Sequence, residues 1–461
     1  MTVTKKITEL KQSAVQLDIT VRKEDIRSEY DSIITDATKN IRIPGFRPGK
    51  VPRNVLERKL GYTLLKEVKG RILELALATI FEDEEFPQSY RPLPYSTPEI
   101  DDETRDRTLN LDEDLTFSVH YDVMPSVHVE KWTGFEVEVP EIKISDEDIN
   151  QEIEILRERN AAVFDKDEQA PAQKGDVVTV DYGEIDSAGK FIENTMRKDY
   201  VWTLGTGRNV YELDDALIGM KRGEIREIEK NYPQDFENTA LAGQTKKIRV
   251  IMNNIKEKTL PVLDDEFAKD MGEQYNTLDE LRNTIKSRLE KERDAAIHTF
   301  KINSIFEKII AITPIELPES MIRIQLQTQW RNLTNQMDVP VDGEIIEEYG
   351  AEKDPWKKDL MKLWRPGVIK TLHSGLIATA IARQLSLEVS DEELQHEIER
   401  IAQERKSVEI EELTAYYEQE SRKELLKEDI KERKLFDIIL KENIFKTGQE
   451  QNFLEFTGKN K

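Results

Sequence analysis

The chain has 461 residues, of which 38% are hydrophobic and 35% are charged, and its formal net charge is −24. At about 150 residues per domain, this length predicts about three domains. The acidic balance disfavours nucleic acid and anionic membrane as partners of the whole chain. No cysteine is present, which excludes disulfides, a thiolate metal site and a cysteine nucleophile, and is compatible with the cytoplasm.

Other patterns argue against a secretion signal, a membrane span and a metal site. The first residues, MTVTKKITELKQSAVQL, lack the apolar stretch of a signal peptide. The longest apolar run, 375–382, lies between His373 and Arg383 and predicts a buried helix, not a membrane span. The five histidines form no i,i+4 pair, so we expect neither a metal site nor a histidine-based triad.

Charge is distributed unevenly along the chain. Residues 1–70 carry 15 basic and 9 acidic side chains, a net charge of +6, whereas the remainder carries −30. A basic head on an acidic body favours an anionic partner for the head. Chance variation on a solvated surface is the alternative, and charge alone does not decide between them.

The first part of the chain predicts an α+β domain over 1–122. Alternation over 14–21 and 115–123 predicts two strands. Apolar residues at helical spacing predict helices over 24–39 and 63–81, and a group of prolines and glycines separates the two helices.

The middle of the chain predicts a connector over 123–160 and then a small β domain over 161–257. The connector has a strand at 135–140, ended by Pro140, and a helix that Ser145 and Asp148 begin and that runs to about residue 160. In the β domain the clearest strands lie at 176–182 and 246–255.

Beyond Pro261 the sequence is almost wholly helical, and we expect a highly solvated helical domain over 258–445. Capping boxes begin at Thr277 and Ser390, and a long helix follows the first box to Ile312. Residues 446–461 are expected to form a disordered tail. Further helices are predicted at 318–337, 355–386, 409–419 and 421–443.

The most informative motif is the segment IPGFRPGKVP at 43–52. Proline fixes φ and glycine permits positive φ, so this segment should be a stiff loop between two helices. The loop offers one aromatic side chain, Phe46, and two cations, Arg47 and Lys50. That combination suits docking on phosphate-rich RNA or on an acidic protein face, while an ordinary solvated turn is the alternative.

Residues 45–52, GFRPGKVP, resemble the GFRxGKxP ribosome-docking signature of the bacterial trigger factor family. The order of an α+β head, a small β domain and a long helical region agrees with that family. The resemblance implies docking on the large ribosomal subunit near the tunnel exit, on ribosomal protein and rRNA. The docking residues that it implies are Gly45, Phe46, Arg47, Pro48, Gly49 and Lys50.

The same resemblance implies an ATP-independent, ribosome-associated chaperone. It would bind nascent and unfolded polypeptides, need no cofactor or membrane, and have access to a homodimeric state off the ribosome. The absence of a Walker A loop agrees with the independence from ATP. The family is further associated with protein transport, the cell cycle and cell division. The fold implied is multidomain α+β, with an α+β head, an FKBP-like β domain and an all-helical C-terminal domain.

The β domain resembles the FKBP-type prolyl isomerase domain of that family. The resemblance implies a catalytic pocket made of Tyr182, Phe191, Tyr200, Val210, Leu213 and Phe236, with Trp202 close by. This chain departs from the family's pattern at Ile192, at Glu212, where a glycine is usual, and at Leu213, where an aromatic is usual. A degenerate pocket of this kind predicts weak isomerase activity.

The helical domain supplies apolar and polarizable side chains, most of which we expect to be buried between helices. A minority facing solvent would serve a chaperone. Two other functions stay open, a stand-alone prolyl isomerase and a helical adaptor for a single protein partner. The apolar candidates are Leu281, Ile285, Leu289, Ile302, Phe306, Ile309, Met321, Ile324, Leu326, Trp330, Met337, Trp356, Met361 and Trp364.

Overall fold

The computed structural model describes residues 1–40, 44, 46, 50–207, 209–236, 238, 241–336, 355–404 and 409–459. In this part of the chain the strands are β1 (Val3–Glu9), β2 (Ala14–Val21), β3 (Glu99–Ile100), β4 (Leu115–Asp122), β5 (Glu136–Lys143), β6 (Ala162–Asp165), β7 (Val177–Glu184), β8 (Arg197–Thr203), β9 (Ile225–Asn231), β10 (Thr245–Thr259) and β11 (Ile444–Asn452). The helices are α1 (Lys23–Asn40), α2 (Arg53–Phe81), α3 (Asp102–Asp106), α4 (Asp146–Arg159), α5 (Asp214–Leu217), α6 (Asp265–Met271), α7 (Leu278–Ile312), α8 (Glu319–Gln336), α9 (Pro355–Gln384), α10 (Asp391–Glu404), α11 (Ile410–Tyr417), α12 (Glu420–Lys441) and α13 (Phe453–Thr457).

The chain divides into two compact units. The first comprises Met1–Glu138 and Thr299–Lys446, and the second comprises Val139–His298 and Thr447–Lys461. None of the described helices is both long enough and apolar enough to cross a membrane.

The first unit contains an antiparallel sheet in the order β1-β2-β4-β3. Alternate residues of β2 and β4 are buried, as in the register pair Leu17 and Val119, and helices α1 and α2 pack on this face. The apolar positions of the alternating sequence pattern are therefore the ones on the covered face of the sheet. The predicted strands and the first helix are confirmed, but α2 begins at Arg53 instead of residue 63, directly after Pro52.

The helical part of the first unit has several small apolar clusters instead of one large core. One joins α8 to α9 through residues such as Met321, Trp330 and Met361. Another joins α10, α11 and α12 through Leu394 and Leu426. The apolar run at 375–382 lies inside α9. The predicted burial holds for Ile377, Ile381 and Ala382, whereas Gly375 and Thr379 are exposed.

The second unit contains a five-stranded antiparallel sheet in the order β6-β10-β7-β8, with β9 paired to β10. The long strand β10 is its centre, and its residues Ile248, Val250 and Met252 are fully buried. Helix α5 contributes Leu217 to the same core. The small β domain predicted from the sequence is confirmed.

Capping side chains begin several helices as the sequence predicts. Ser145 and Asp148 form a reciprocal capping box at the start of α4, and Ser390 and Glu393 do the same for α10. Of the two hydrogen bonds of the capping box predicted at Thr277, one is present and the other is made to a different residue. Thr277 Oγ1 accepts from the N–H of Glu280, but the Glu280 carboxylate accepts from the N–H of Asn276, one residue further back.

The end of the chain differs from the expectation of a disordered tail. β11 pairs with β5, and α13 follows it directly. Phe453 and Leu454 of α13 are buried in the core of the second unit with Ile142 and Ile153. β5 itself continues through Pro140, because a two-stranded ribbon leaves one edge where a residue without an N–H is tolerated.

Candidate functional site

The loop between α1 and α2 carries the first candidate site. Phe46 is 39% exposed, and Pro44 and Lys50 are also exposed. Four of the residues predicted to dock lie outside the described residues, namely Gly45, Arg47, Pro48 and Gly49. The structure therefore presents one aromatic ring and one ammonium group of the predicted site to solvent.

The base of this loop is held by contacts between the two helices. Val51 is buried and packs with Leu56 of α2. Arg53 pairs with Asp31 of α1 at 2.7 Å, and its guanidinium stands 5.7 Å from the centre of the Tyr30 ring. These contacts join α1 to the first turn of α2 at the base of the loop.

The second candidate site is a cluster of aromatic rings in the β domain. β7 and β8 place Tyr182, Tyr200 and Trp202 side by side, with ring centroids 5.4 Å apart for Tyr182 and Tyr200 and 6.2 Å apart for Tyr182 and Trp202. Tyr211 joins them at 6.0 Å from Tyr182. Edge-to-face pairs at these distances are a stable packing of aromatic rings. Tyr182 and Trp202 belong to the buried core of the domain, and the half-buried Tyr200 and Tyr211 pack against it.

Polar links hold two tyrosines of this region in place. The Tyr211 hydroxyl donates to Glu184 Oε1 at 3.0 Å, and Glu184 in turn pairs with Lys246 at 2.9 Å. The Tyr232 hydroxyl donates to the carbonyl of Tyr211 at 3.0 Å, and the Tyr232 ring lies 4.9 Å from Phe236. The predicted residue Phe236 is thus connected to the cluster through Tyr232.

Both phenols stay protonated at neutral pH. Burial raises the pKa of Tyr232 to about 12. Burial, followed by the hydrogen bond to Glu184, raises the pKa of Tyr211 well above its usual range. The cluster therefore offers ring faces and fixed hydroxyl groups, not an acid or a base.

The other predicted pocket residues have different surroundings. Leu213 is fully buried and belongs to the core that also contains Trp202. Val210 is 55% exposed. Phe191 is half-buried, and its ring lies so close to Gly183 that a Cβ added to this glycine would stand 3.1 Å from the ring. The Arg249 guanidinium lies 5.6 Å from the centre of the Phe191 ring. Among the described residues, no ring contact joins Phe191 to the Tyr182 cluster.

Sequence reasoning missed three residues of this site. Tyr211 and Tyr232 were not proposed, although the density of aromatics between 182 and 236 was a usable signal. Asn209 had no such signal, yet it is 2% exposed next to the cluster. Its role depends on neighbours that only the fold brings together.

The helical region buries most of its predicted apolar candidates. Residues from Leu281 to Met361 on that list are largely buried, which confirms that most of them lie between helices. Met337 and the side chain of Trp356 lie outside the described residues. The apolar side chains that do reach solvent in the helical region are different ones, including Leu363 at 74%, Leu425 at 69% and Tyr416 at 50%.

Comparison with family models gives three matches along the chain. Residues 1–156 match the model described as bacterial trigger factor protein, and residues 277–441 match the model of its C-terminus. Residues 168–258 match the model of FKBP-type peptidyl-prolyl cis-trans isomerase. The aromatic cluster lies within the third match, and the 43–52 loop lies within the first.

Similar proteins cover the full length. The chain is 39% identical over 451 residues to the trigger factor of Treponema denticola, covering 98% of each chain. It is 33% identical over 456 residues to that of Treponema pallidum and 31% identical over 458 residues to that of Borreliella burgdorferi, with 99% of this chain and 98% of the relative covered in each case. A solved structure titled "Promiscuous Substrate Recognition in Folding and Assembly Activities of the Trigger Factor Chaperone" aligns with a TM-score of 0.44 at 22% identity, over 95% of this chain and 99% of that one.

Proposed function

The chain belongs to the trigger factor family and is a ribosome-associated chaperone with an FKBP-type domain, and on this premise we propose that its 43–52 loop is the ribosome anchor. The observation that carries this proposal is the GFRPGKVP sequence placed between two packed helices with Phe46 and Lys50 exposed. The partner is the large ribosomal subunit near the tunnel exit, both protein and rRNA.

The anchor works by combining two kinds of contact. Phe46 fills an apolar notch on ribosomal protein, and Arg47 and Lys50 bind phosphate groups of rRNA. The net charge of +6 over residues 1–70 supports this assignment, because it attracts the head to a polyanion while the acidic remainder is repelled. Docking therefore also orients the chain at the ribosome surface.

We further propose that the β domain binds X–Pro segments and speeds their isomerisation. Rotation about the C–N bond is opposed by about 18–20 kcal/mol, because resonance keeps the amide planar. The ring faces of Tyr182, Tyr200 and Tyr211 favour the twisted amide, which is less polar than the planar one. Activity is expected to be low, since the aliphatic Leu213 stands where the family usually has an aromatic ring.

The helical region is proposed to shelter unfolded and nascent chains without ATP. Its exposed apolar side chains, such as Leu363 and Leu425, stand among dense charges that keep the surface soluble. Weak, repeated contacts with varied clients suit such scattered apolar groups. We place the protein in the cytoplasm, as a homodimer when it is off the ribosome.

Co-sedimentation with salt-washed ribosomes tests the anchor. The loop variant Phe46→Ala/Arg47→Ala/Lys50→Ala should remain in the supernatant while the natural chain pellets. The matched control is Arg58→Ala/Tyr62→Ala/Lys66→Ala on α2, which removes the same types of exposed side chain from the same domain. This control should pellet like the natural chain.

Two outcomes would contradict the proposal. If the loop and α2 variants lose binding equally, the head binds through general charge and not through the loop. If the natural chain itself stays in the supernatant, the loop is an ordinary turn, and the stand-alone isomerase or the adaptor becomes the better description.

A further inference from the structure

The first unit contains a cavity where its N-terminal sheet meets helix α8. The volume of this cavity is about 520 Å³, which lies within the usual range of about 300–1,000 Å³ for ligand pockets. One wall includes Asp122 of β4 and Tyr95, which precedes β3, and the other wall is formed by α8. Asp122 Oδ2 accepts the N–H of Ser320 at 3.4 Å, so the two walls are in contact at one end.

One face of α8 presents polar groups to this cavity that the protein does not use. Ser320, Ile324 and Gln327 follow at spacings of four and three residues, which places them on the same face of the helix, and all three line the cavity. Gln327 is 9% exposed, and its side-chain amide makes no hydrogen bond to any described residue. Ser320 is 8% exposed, and its Oγ has no partner among the same residues. Buried polar groups of this kind call for a partner, which is either water in the cavity or a ligand.

Tyr95 adds a hydroxyl group from the opposite wall. The residue is 38% exposed, and its hydroxyl makes no hydrogen bond within the described part of the chain. Burial, followed by the charge of Asp122, raises the pKa of Tyr95, so the phenol stays protonated at neutral pH. The hydroxyl can therefore both donate and accept a hydrogen bond.

The charges around the cavity disfavour a ligand of either sign. Arg323 lines the cavity and has no ion pair with a described residue, and the same holds for Glu99 and Asp122. The two carboxylates would repel a phosphate or carboxylate ligand, and the guanidinium would repel a cation. A neutral ligand that both donates and accepts hydrogen bonds fits better, and each peptide group of a main chain offers one N–H and one C=O.

We propose that this cavity binds an extended segment of an unfolded polypeptide through its main chain. The Gln327 side-chain amide donates to a peptide C=O and accepts from a peptide N–H, and Ile324 provides an apolar contact beside it. This inference rests on the proposed sheltering of unfolded chains and names one site for it. Main-chain hydrogen bonds do not depend on the client's side chains, which suits a protein that binds varied clients.

The half-buried Ile324 provides a reporter inside the cavity. With methyl-labelled isoleucine in the full chain, the NMR signal that disappears in Ile324→Val is assigned to Ile324. The probe is a short capped peptide of alanine, serine and valine, which has no charge, no proline and no side-chain amide. Adding this peptide should shift the Ile324 signal, and the titration gives its Kd.

Two variants remove the neutral polar groups one wall at a time. Gln327→Leu removes both hydrogen-bonding groups of the amide and should raise the Kd by about tenfold, whereas Tyr95→Phe removes one hydroxyl and should raise it by about threefold. The matched control is Gln329→Leu, on an exposed part of α8 outside the cavity, which should keep the Kd within about twofold of the natural value.

Two further measurements separate main-chain binding from other causes. The same peptide with methylated main-chain nitrogens has lost its N–H donors, so the natural chain should bind it about tenfold more weakly. Gln327→Leu should leave the urea midpoint unchanged or raise it, because no hydrogen bond within the described protein is lost. A structural role of Gln327 would instead lower this midpoint.

The outcomes distinguish this inference from the proposed function. If the natural chain suppresses the aggregation of an unfolded protein but the peptide does not shift the Ile324 signal, the cavity holds only water, so the inference is overturned and the chaperone stands. Equal Kd values for the natural chain and Gln327→Leu, or for the methylated and unmethylated peptides, would also overturn it. If the natural chain neither binds the peptide nor suppresses aggregation, the proposed sheltering and this inference fail together.

Discussion

Glu212 adopts a backbone conformation that usually belongs to glycine, with φ at +48°. The sequence already marked this position, because the family usually has a glycine here. In the structure, this strained backbone is held by contacts with Lys230. Lys230 Nζ donates to the Glu212 carbonyl at 2.8 Å and pairs with its carboxylate at 2.9 Å. The departure from the family's pattern is therefore accommodated locally, and the turn before Leu213 is kept.

We predict that stability tolerates one substitution at this position and not another. Glu212→Gly relieves the strain and loses an exposed ion pair, so the free energy of unfolding should change by less than about 1 kcal/mol. Glu212→Val places a β-branched residue at positive φ and should destabilise by about 2 kcal/mol or more. Urea unfolding of the full chain measures both. Glu229→Val on the exposed face of β9 is the control, and equal effects at 212 and 229 would contradict the account.

Glu397 of α10 is a buried carboxylate held between two arginines. It accepts from Arg400 at 2.7 Å and from Arg433 of α12 at 2.6 Å. The hydrogen bond from Arg400, with that from Arg433, lowers the pKa of Glu397 to about 2, against the opposing effect of burial. The charged carboxylate thus favours the folded state, and that stability is complete above the ordinary carboxyl pKa and is lost as pH falls towards 2.

Glu397→Gln should accordingly destabilise the protein most at neutral pH. The expected loss is about 1–3 kcal/mol at pH 7, the usual contribution of hydrogen bonds to a charged group. The difference from the natural chain should shrink as pH falls from about 4.5 towards about 2, because the natural carboxyl group then becomes protonated. Urea unfolding across this pH range measures it. Glu392→Gln on the exposed face of α10 is the control, and a difference independent of pH would contradict the account.

At the scale of elements, the end of the chain contributes to a core far away in sequence. β11 pairs with β5, and Lys143 pairs with Glu450 at 2.7 Å. Phe453 of α13 is fully buried against residues of α4, α6 and α7. These contacts join residues far apart in the sequence, 307 positions for Lys143 and Glu450, and a local pattern of charged and polar residues does not reveal them. The expected disordered tail was wrong for this reason.

Phe453→Ala should destabilise the second unit by about 3–5 kcal/mol, the usual cost of removing a large buried side chain. The matched control is Phe164→Ala in β6, where the ring is 62% exposed and the loss should be under about 1 kcal/mol. Thermal unfolding of the full chain compares the two. If both variants unfold at the same temperature, α13 is not part of the core.

For the whole molecule, the sequence predicted what depends on local periodicity. The alternation in β2 and β4, the capping boxes at Ser145 and Ser390, and the order of the domains all belong to this class. The exposed Phe46 was also predictable, since prolines and glycines place it between two helices. Contacts between distant segments were not predictable, which is why Tyr211, Asn209 and the ordered chain end were missed.

The uneven distribution of charge bears on which part of the whole molecule contacts the ribosome. In the proposed docking, the head with its net charge of +6 would face phosphate while the remainder, at −30, would be repelled from it, which would confine contact with the ribosome to one end of the sequence. The proposed anchor would combine charge attraction, which salt screens, with an apolar contact through Phe46.

The most direct test of the anchor is the dissociation constant for vacant ribosomes, measured for the natural chain and for the loop and α2 triple variants. We predict that the loop variant binds about 100-fold more weakly or worse, as expected when two or more central contacts are lost, and that the α2 variant stays within about threefold of the natural chain. A loop variant that binds within threefold of the natural chain would contradict the central claim.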